Sequence, residues 1–214
     1  NAYGVAGVTT AATFATAELY RRLAADLMAS ERPAGLDEEA LEQYDLLLEE
    51  QAYPFEERAI ELHEANAARA AQGVYDGPVQ ASYAALAALK PARYGKVEIE
   101  PLDDPALAPA AAPTRQGIAH RRAGRFAEAR AAYDAALALD PAFAPAQLNL
   151  AVLLDLFLGE PVEAMAHYQR YLALAPVPDE RAALWAREAS NRTGIALETE
   201  SPAGTGPPPE EEIP

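Results

Sequence analysis

Apolar residues recur at helical spacing along most of the chain. In the first helical stretch, large apolar side chains lie four or five residues apart, at Phe14, Leu19, Leu23 and Leu27. Such spacing places them on one face of an α-helix. The same periodicity, bounded by prolines and glycines, predicts helices over residues 9–29, 37–52, 55–72, 78–90, 112–123, 126–139, 144–158, 161–174 and 179–191. The sequence therefore predicts an all-α protein.

Capping residues and prolines set the predicted helix boundaries in the first half. Asp37 is expected to cap the second helix, with Glu38 and Glu39 in the first turn, where the helix dipole favours negative charge. Pro54 is expected to begin the third helix, because proline is favoured in the first turn of a helix. Pro91 is expected to end the fourth. We expect these four helices to form two hairpins.

Two units of about 34 residues can be superimposed between Gly117 and Pro176. The first unit is marked by Gly117, Gly124, Phe126, Ala129, Tyr133, Ala136, Leu137 and Pro141. The second is marked by Leu150, Ala151, Gly159, Ala164, Tyr168, Leu172, Leu174 and Pro176, with one extra residue near 159–161. The small residues suit positions where paired helices approach closely, and each tyrosine is expected to fill the gap towards the next helix.

This pattern resembles a pair of tetratricopeptide repeats, although Gln116 and Tyr171 depart from the residues usual in that family. The resemblance implies a right-handed α-solenoid of helix-turn-helix units, each of which buries its apolar face only against its neighbours. Residues 41–66, 73–96 and 148–176 also resemble the C-terminal part of large tetratricopeptide proteins of Gram-negative cell envelopes. That resemblance implies an envelope location, with the periplasm favoured over the cytoplasm, and a role in assembling neighbouring machinery.

The chain divides into four predicted parts. Residues 1–96 form degenerate repeat-like hairpins, and residues 97–112 form a linker rich in proline and alanine, with prolines at 101, 105 and 109 and another at 113. Strand-forming residues occur only in short runs, such as Lys96–Ile99. Residues 113–192 hold the two repeats and a capping helix. Residues 193–214 are an acidic tail rich in proline and glycine, expected to lie along a helical surface because it cannot fold alone.

Composition narrows the possible functions. The net charge of −16 argues against a nucleic-acid partner, because such proteins neutralise phosphates with clustered lysine and arginine. The absence of cysteine removes disulfides, thiolate metal sites and cysteine nucleophiles. No run approaches the roughly 18 apolar residues that cross a bilayer, so direct membrane insertion is not expected. The chain begins with Asn1, which indicates a piece of a longer protein.

The sequence carries no catalytic motif. His63 lies among Glu57, Glu61 and Glu64, a spacing compatible with metal ligands on a helix, but an exposed, salt-bridged helix face is the favoured interpretation. No histidine is paired with a recognisable nucleophile. We therefore expect no enzymatic activity, no metal and no cofactor.

In the tetratricopeptide family the first helix of each unit lines a concave, partner-binding surface. The matching positions here are Thr114, Arg115, Ile118, Arg121, Arg122, Leu148, Asn149, Val152, Asp155 and Leu156. Arg121, Arg122 and Asn149 suit a peptide carboxylate. A mixed apolar groove is nevertheless favoured, because Ile118 stands where chaperone-binding members have asparagine. The expected function is a noncatalytic scaffold that binds a protein or peptide segment, and the alternative is a structural subunit that self-associates through its repeats and tail.

Overall fold

The computed structural model describes residues 2–104, 108–175 and 177–197. Within these ranges the chain is helical and has no strand. The helices are α1 (Ala2–Met28), α2 (Glu38–Ala67), α3 (Gly77–Leu89), α4 (Pro91–Tyr94), α5 (Ala108–Arg122), α6 (Phe126–Leu139), α7 (Ala144–Val152), α8 (Pro161–Leu174) and α9 (Glu180–Thr193). A short 3-10 helix (Ala70–Gln72) follows α2, and a π-helix (Leu153–Leu158) continues α7. Residues 198–214 lie outside the described residues, and so does the contact predicted for the tail.

Helices adjacent along the chain pack against each other. The contacting pairs are α1 with α2, α2 with α3, α5 with α6, α6 with α7, α7 with α8, and α8 with α9. This arrangement confirms the prediction of an all-α helical-repeat solenoid. Tyr133 and Tyr168 are completely buried in the core, where the repeat pattern places them.

The separate helices predicted on either side of Pro54 are wrong, because α2 continues through this residue. Proline removes one amide donor from a helix interior and usually breaks it at a cost of about 3 kcal/mol or more. Here the ring of Pro54 is exposed, while Ala52 and Ala59 on either side of it are buried. Packing of both halves of α2 against the neighbouring helices keeps the helix continuous. Residues 2–104 thus contain three long helices, the short 3-10 helix and the single turn α4.

The end of the predicted linker is helical. Because α5 begins at Ala108, both Pro109 and Pro113 lie within it. Pro109 falls in the first turn, where the missing amide hydrogen costs nothing. Alanines at 110 and 111 are buried against α6 and the start of α7 and hold this first part of the helix in place.

The π-helix ends directly before Gly159, so the extra residue that the sequence places near 159–161 lies just ahead of that stretch. A π-turn accommodates a single inserted residue without ending the surrounding helix. After it, Gly159 adopts a left-handed conformation with φ of 70°, as Gly124 does at the matching turn of the first repeat with φ of 72°. The two repeats therefore share their turn geometry, and the insertion is confined to Leu153–Leu158.

Candidate partner-binding groove

A segment of the chain itself lies in the predicted concave groove. Residues 96–103, here called the groove segment, lie between α4 and α5 and have no regular secondary structure. Their side chains and backbone contact α5, α6, α7 and α9. Contacts near the start of the segment involve the end of α5, and contacts near its end involve Arg115, so the segment runs antiparallel to α5.

Asn149 on α7 binds the backbone of the groove segment. Its side-chain oxygen accepts a hydrogen bond from the Ile99 amide at 2.8 Å, and its side-chain nitrogen donates to the Ile99 carbonyl at 2.9 Å. Asn149 is fully buried, and the Ile99 side chain packs against the main core. One amide side chain therefore satisfies both backbone groups of a residue in the groove, a contact that does not depend on the identity of that residue.

Glu98 is the most buried acidic group of the groove segment. Its side chain is 3% exposed and forms an ion pair with Arg121. The Tyr133 hydroxyl donates a second hydrogen bond to Glu98 Oε1 at 2.6 Å. Burial, followed by the nearby Glu98 charge, raises the pKa of Tyr133 far above its usual range, so the phenol remains a donor. Glu98 is thus bound by one guanidinium group, that of Arg121, and one phenol, that of Tyr133.

The later part of the segment is held by more exposed arginines. Arg122 pairs with Glu100 at 2.9 Å, and both side chains are more than half exposed. Arg115 donates to the carbonyls of Pro101 and Leu102, each at 3.2 Å, and pairs with Asp103. These exposed pairs contribute little stability, because water competes for the same charges.

Lys96 anchors the start of the groove segment in a buried ionic cluster. Its side chain and that of Asp155 in the π-helix are fully buried and form an ion pair. Lys96 also donates to Glu188 on α9 at 2.9 Å, and Arg192 pairs with Asp155. Burial favours the neutral form of Glu188, but hydrogen bonds and charges from Lys96 and Arg192 outweigh it and lower the pKa of Glu188.

The structure brings the ten predicted groove residues to one region, but few of them face solvent. Buried residues are Thr114, Ile118, Leu148, Asn149, Val152, Asp155 and Leu156, while Arg115, Arg121 and Arg122 remain partly or fully exposed. The apolar members belong to the main core. Thr114 donates to the Ala110 carbonyl in its own helix, and the other polar members bind the groove segment. The arginines and Asn149 are therefore the members that can recognise a bound peptide.

Sequence reasoning missed the occupant of this groove. Glu98 and Ile99 were part of the predicted linker, and Lys96 was the last residue of the predicted hairpins. Nothing in the repeat pattern placed them against the repeat helices. The one available signal was the strand-forming run Lys96–Ile99, which is unusual in a chain otherwise rich in helix formers. Such a run indicates chain that pairs its backbone with another group.

A second polar cluster joins α1, α2 and α3. His63 Nδ1 lies 3.3 Å from Ser82 Oγ, and His63 Nε2 lies 3.4 Å from Glu18 Oε1. Asn66 donates to the Thr10 carbonyl at 3.0 Å and to Ser82 Oγ at 3.1 Å. Ser82 and His63 are both completely buried, so no substrate reaches this serine in the structure. The predicted exposed position of His63 is therefore wrong, because the residue packs between helices.

Neither a metal centre nor a spanning helix is found in the described ranges. Among residues 2–104, 108–175 and 177–197, no three histidine or acidic side chains converge as metal ligands. The glutamates near His63 face elsewhere: Glu61 pairs with Arg58, and Glu64 pairs with Lys90. Within the same ranges no helix has the length and hydropathy to cross a membrane.

Comparison with known families identifies part of this architecture. The family model of the tetratricopeptide repeat matches residues 114–143, which include most of α5, all of α6 and the turn that follows. No curated protein and no solved structure matches the chain. Tetratricopeptide repeats generally mediate protein–protein interactions and are generally noncatalytic. The helix pair α5 and α6 thus matches the tetratricopeptide repeat and lies within an all-α helical-repeat solenoid.

Proposed function

We propose that this chain is a noncatalytic scaffold that binds a segment of a protein partner in the groove formed by α5, α7 and α9. The observation that carries the proposal is the pairing of Asn149 with both backbone groups of Ile99. A side chain that satisfies an amide and a carbonyl of one residue can hold any non-helical peptide in that place. The groove therefore has the chemistry of a peptide site, with the groove segment as its occupant.

The electrostatics of the groove agree with this role. The chain carries a net charge of −16, yet Arg115, Arg121 and Arg122 lie along one stretch of α5. Together with Asn149 they supply donors to backbone carbonyls and carboxylates of a bound segment. Donors concentrated on one surface of an acidic protein favour a peptide ligand over an apolar small molecule.

We place this activity in the envelope of a Gram-negative bacterium, in the assembly of a larger complex. The support is the likeness of residues 41–66, 73–96 and 148–176 to envelope tetratricopeptide proteins. Fractionation of cells that express the tagged native protein tests the location. Recovery of the protein in the cytosolic fraction alone would contradict it.

A capture experiment with envelope extract tests the groove. The bait is the full chain in which residues 97–102 are replaced by a glycine–serine sequence, and its control carries the additional substitution Asn149→Ala. We expect a partner retained by the first bait and lost from the second. Glu38→Gln in place of Asn149→Ala is the matched surface control and is expected to keep the partner. Equal retention by all three baits would contradict binding in the groove.

Self-association is a second candidate function, favoured by an apolar surface on α1. Val8 and Leu19, three helical turns apart, are 70% and 67% exposed, and Leu23 lies one turn further on the same face. A second copy of the chain would cover this face. Molar mass measured by light scattering over a range of concentrations tests it, with Leu19→Glu as the disrupting variant. A constant monomer mass would contradict self-association.

A further inference from the structure

We infer that the groove selects an acidic segment of its partner, with glutamate, an apolar residue and glutamate in succession, and that the groove segment competes for the same place. This inference rests on the proposed function. It adds the chemical class of the partner and a way in which binding is controlled. The pattern is that of Glu98, Ile99 and Glu100, whose contacts are described above.

The charges of the groove require an acidic occupant. Arg121 is partly buried beneath the segment, and Glu98 supplies the carboxylate that forms its ion pair. An apolar or basic occupant would leave this guanidinium without a counter-charge, which is costly in a partly buried position. Arg121 Nε is also buried and has no acceptor within the described residues, so this N–H group is available to donate a further hydrogen bond to an occupant. A carboxylate at the place of Glu98 is therefore the strongest requirement of the groove.

The apolar requirement comes from the middle position. Ile99 packs against the main core, and Asn149 fixes its backbone. The position of Glu100 is less demanding, because its pair with Arg122 is exposed on both sides. We expect the partner's residue at the place of Glu98 to matter most and the one at the place of Glu100 to matter least.

Only part of the groove segment can leave without opening the core. Lys96 is fully buried with Asp155 and stays as an anchor. From Glu98 onwards the segment is held by hydrogen bonds, ion pairs and the packing of Ile99 against the core. A partner with the same groups, including an apolar residue at the place of Ile99, would replace each contact with an equivalent one. Beside Ile99 lies an open cleft of about 580 Å³, lined by residues that include Tyr171, Val177 and Arg181. A partner segment can first contact the protein in this cleft and then displace the groove segment.

The covalent tether makes the groove segment a strong competitor. A short flexible connection produces an effective concentration on the order of millimolar. A partner segment with equal intrinsic affinity would therefore bind the native chain only weakly. The groove is expected to accept partners that bind more tightly than the groove segment, or to open when contacts of that segment are weakened.

A synthetic peptide with the sequence of residues 96–104, added in trans, tests both the selection of acidic segments and the competition by the groove segment. Binding is measured by fluorescence anisotropy to the full native chain and to the chain with residues 97–102 replaced by glycine and serine. We expect the replaced chain to bind the peptide at least about tenfold more tightly than the native chain, because the tethered competitor is gone. A peptide in which glutamine replaces both glutamates is expected to bind the replaced chain about tenfold or more weakly, because charge-assisted hydrogen bonds are lost.

Two further variants test the role of Asn149 and of Glu98 separately. Asn149→Ala in the replaced chain is expected to abolish peptide binding, and Glu98→Gln in the native chain is expected to raise it even if the replaced chain does not fold. Equal binding of the acidic and glutamine peptides would overturn the selection of acidic segments while leaving groove binding intact. Equal binding by the native and replaced chains would overturn the competition. No binding to any folded variant would overturn both the inference and the proposed function.

Discussion

The ring of Tyr133 occupies the space in which a side chain at Gly117 would lie. A methyl group on Gly117 would stand 2.6 Å from Tyr133 Cδ1 and 2.8 Å from Cζ. Non-bonded carbon atoms do not pack this closely, so a side chain at position 117 would force the Tyr133 ring or one of the two helices to shift. The contact explains why the repeat has a small residue in its first helix opposite a tyrosine in its second.

Gly117→Ala should destabilise the protein by about 1–3 kcal/mol, the usual cost of forcing an extra carbon into a packed core. Thermal and urea unfolding monitored by circular dichroism would measure the loss. Gly77→Ala in the first turn of α3 is the matched control, because a methyl group there meets no atom within 4 Å. Equal stability of the two variants would contradict the contact between Gly117 and Tyr133.

The two repeat tyrosines should each carry a large share of stability. Tyr133→Ala and Tyr168→Ala are expected to cost about 3–5 kcal/mol each, because both side chains are fully buried. Tyr133→Phe keeps the ring but removes the donor to buried Glu98, and should cost about 1.5–3 kcal/mol. Denaturant unfolding distinguishes the three variants. A neutral Tyr133→Phe would show that the hydroxyl does not hold the groove segment.

Local signals predicted the helices wherever packing agreed with them. The helices around Tyr133 and Tyr168 have the predicted bounds, because proline and glycine punctuate each repeat in both sequence and structure. Pro54 carries the same local signal but lies on the exposed face of a helix whose buried alanines continue past it. Local propensity thus cannot show whether tertiary packing will carry a helix across a proline.

The candidate site was only half predictable. Arg121, Arg122 and Asn149 were assigned to a peptide-binding surface from the repeat register, and they do bind carboxylates and backbone groups. Their occupant was not predicted, because Glu98 and Ile99 precede the repeats and touch them only through the fold. Contacts between residues about 50 positions apart leave no periodic trace in a single sequence.

The buried ion pair between Lys96 and Asp155 should show strong coupling. Asp155→Leu alone leaves buried Lys96 with Glu188 as its one acidic partner among the described residues, and should cost about 3–5 kcal/mol. Adding Lys96→Met removes the stranded charge and is expected to recover a large part of that loss. A double-mutant cycle from urea unfolding measures the coupling. Simple additivity of the two losses would contradict a direct interaction.

Buried His63 should make the protein less stable as the pH falls below neutrality. Burial lowers the pKa of His63 from its ordinary value of 6.5, and the nearby Glu18 opposes this only in part. As the pH falls through about 6.5, His63 is protonated in the unfolded chain but stays neutral in the folded protein. The free energy of unfolding therefore decreases as the pH falls below that value. The slope reaches at most about 1.4 kcal/mol per pH unit for one histidine.

The substitution His63→Gln tests this dependence, because glutamine keeps hydrogen-bonding capacity but does not titrate. Urea unfolding at several pH values from about 7 to 5 should give a flatter stability profile for His63→Gln than for the native chain. Burial also lowers the pKa of His167, so His167→Gln is expected to flatten the stability profile in the same direction and serves as a second test of a buried histidine. Glu18 and Glu188 have lowered pKa values and lose their contribution only in more acidic solution, so they do not obscure this range. A profile for His63→Gln parallel to that of the native chain would show that His63 takes up its proton equally in the folded and unfolded states.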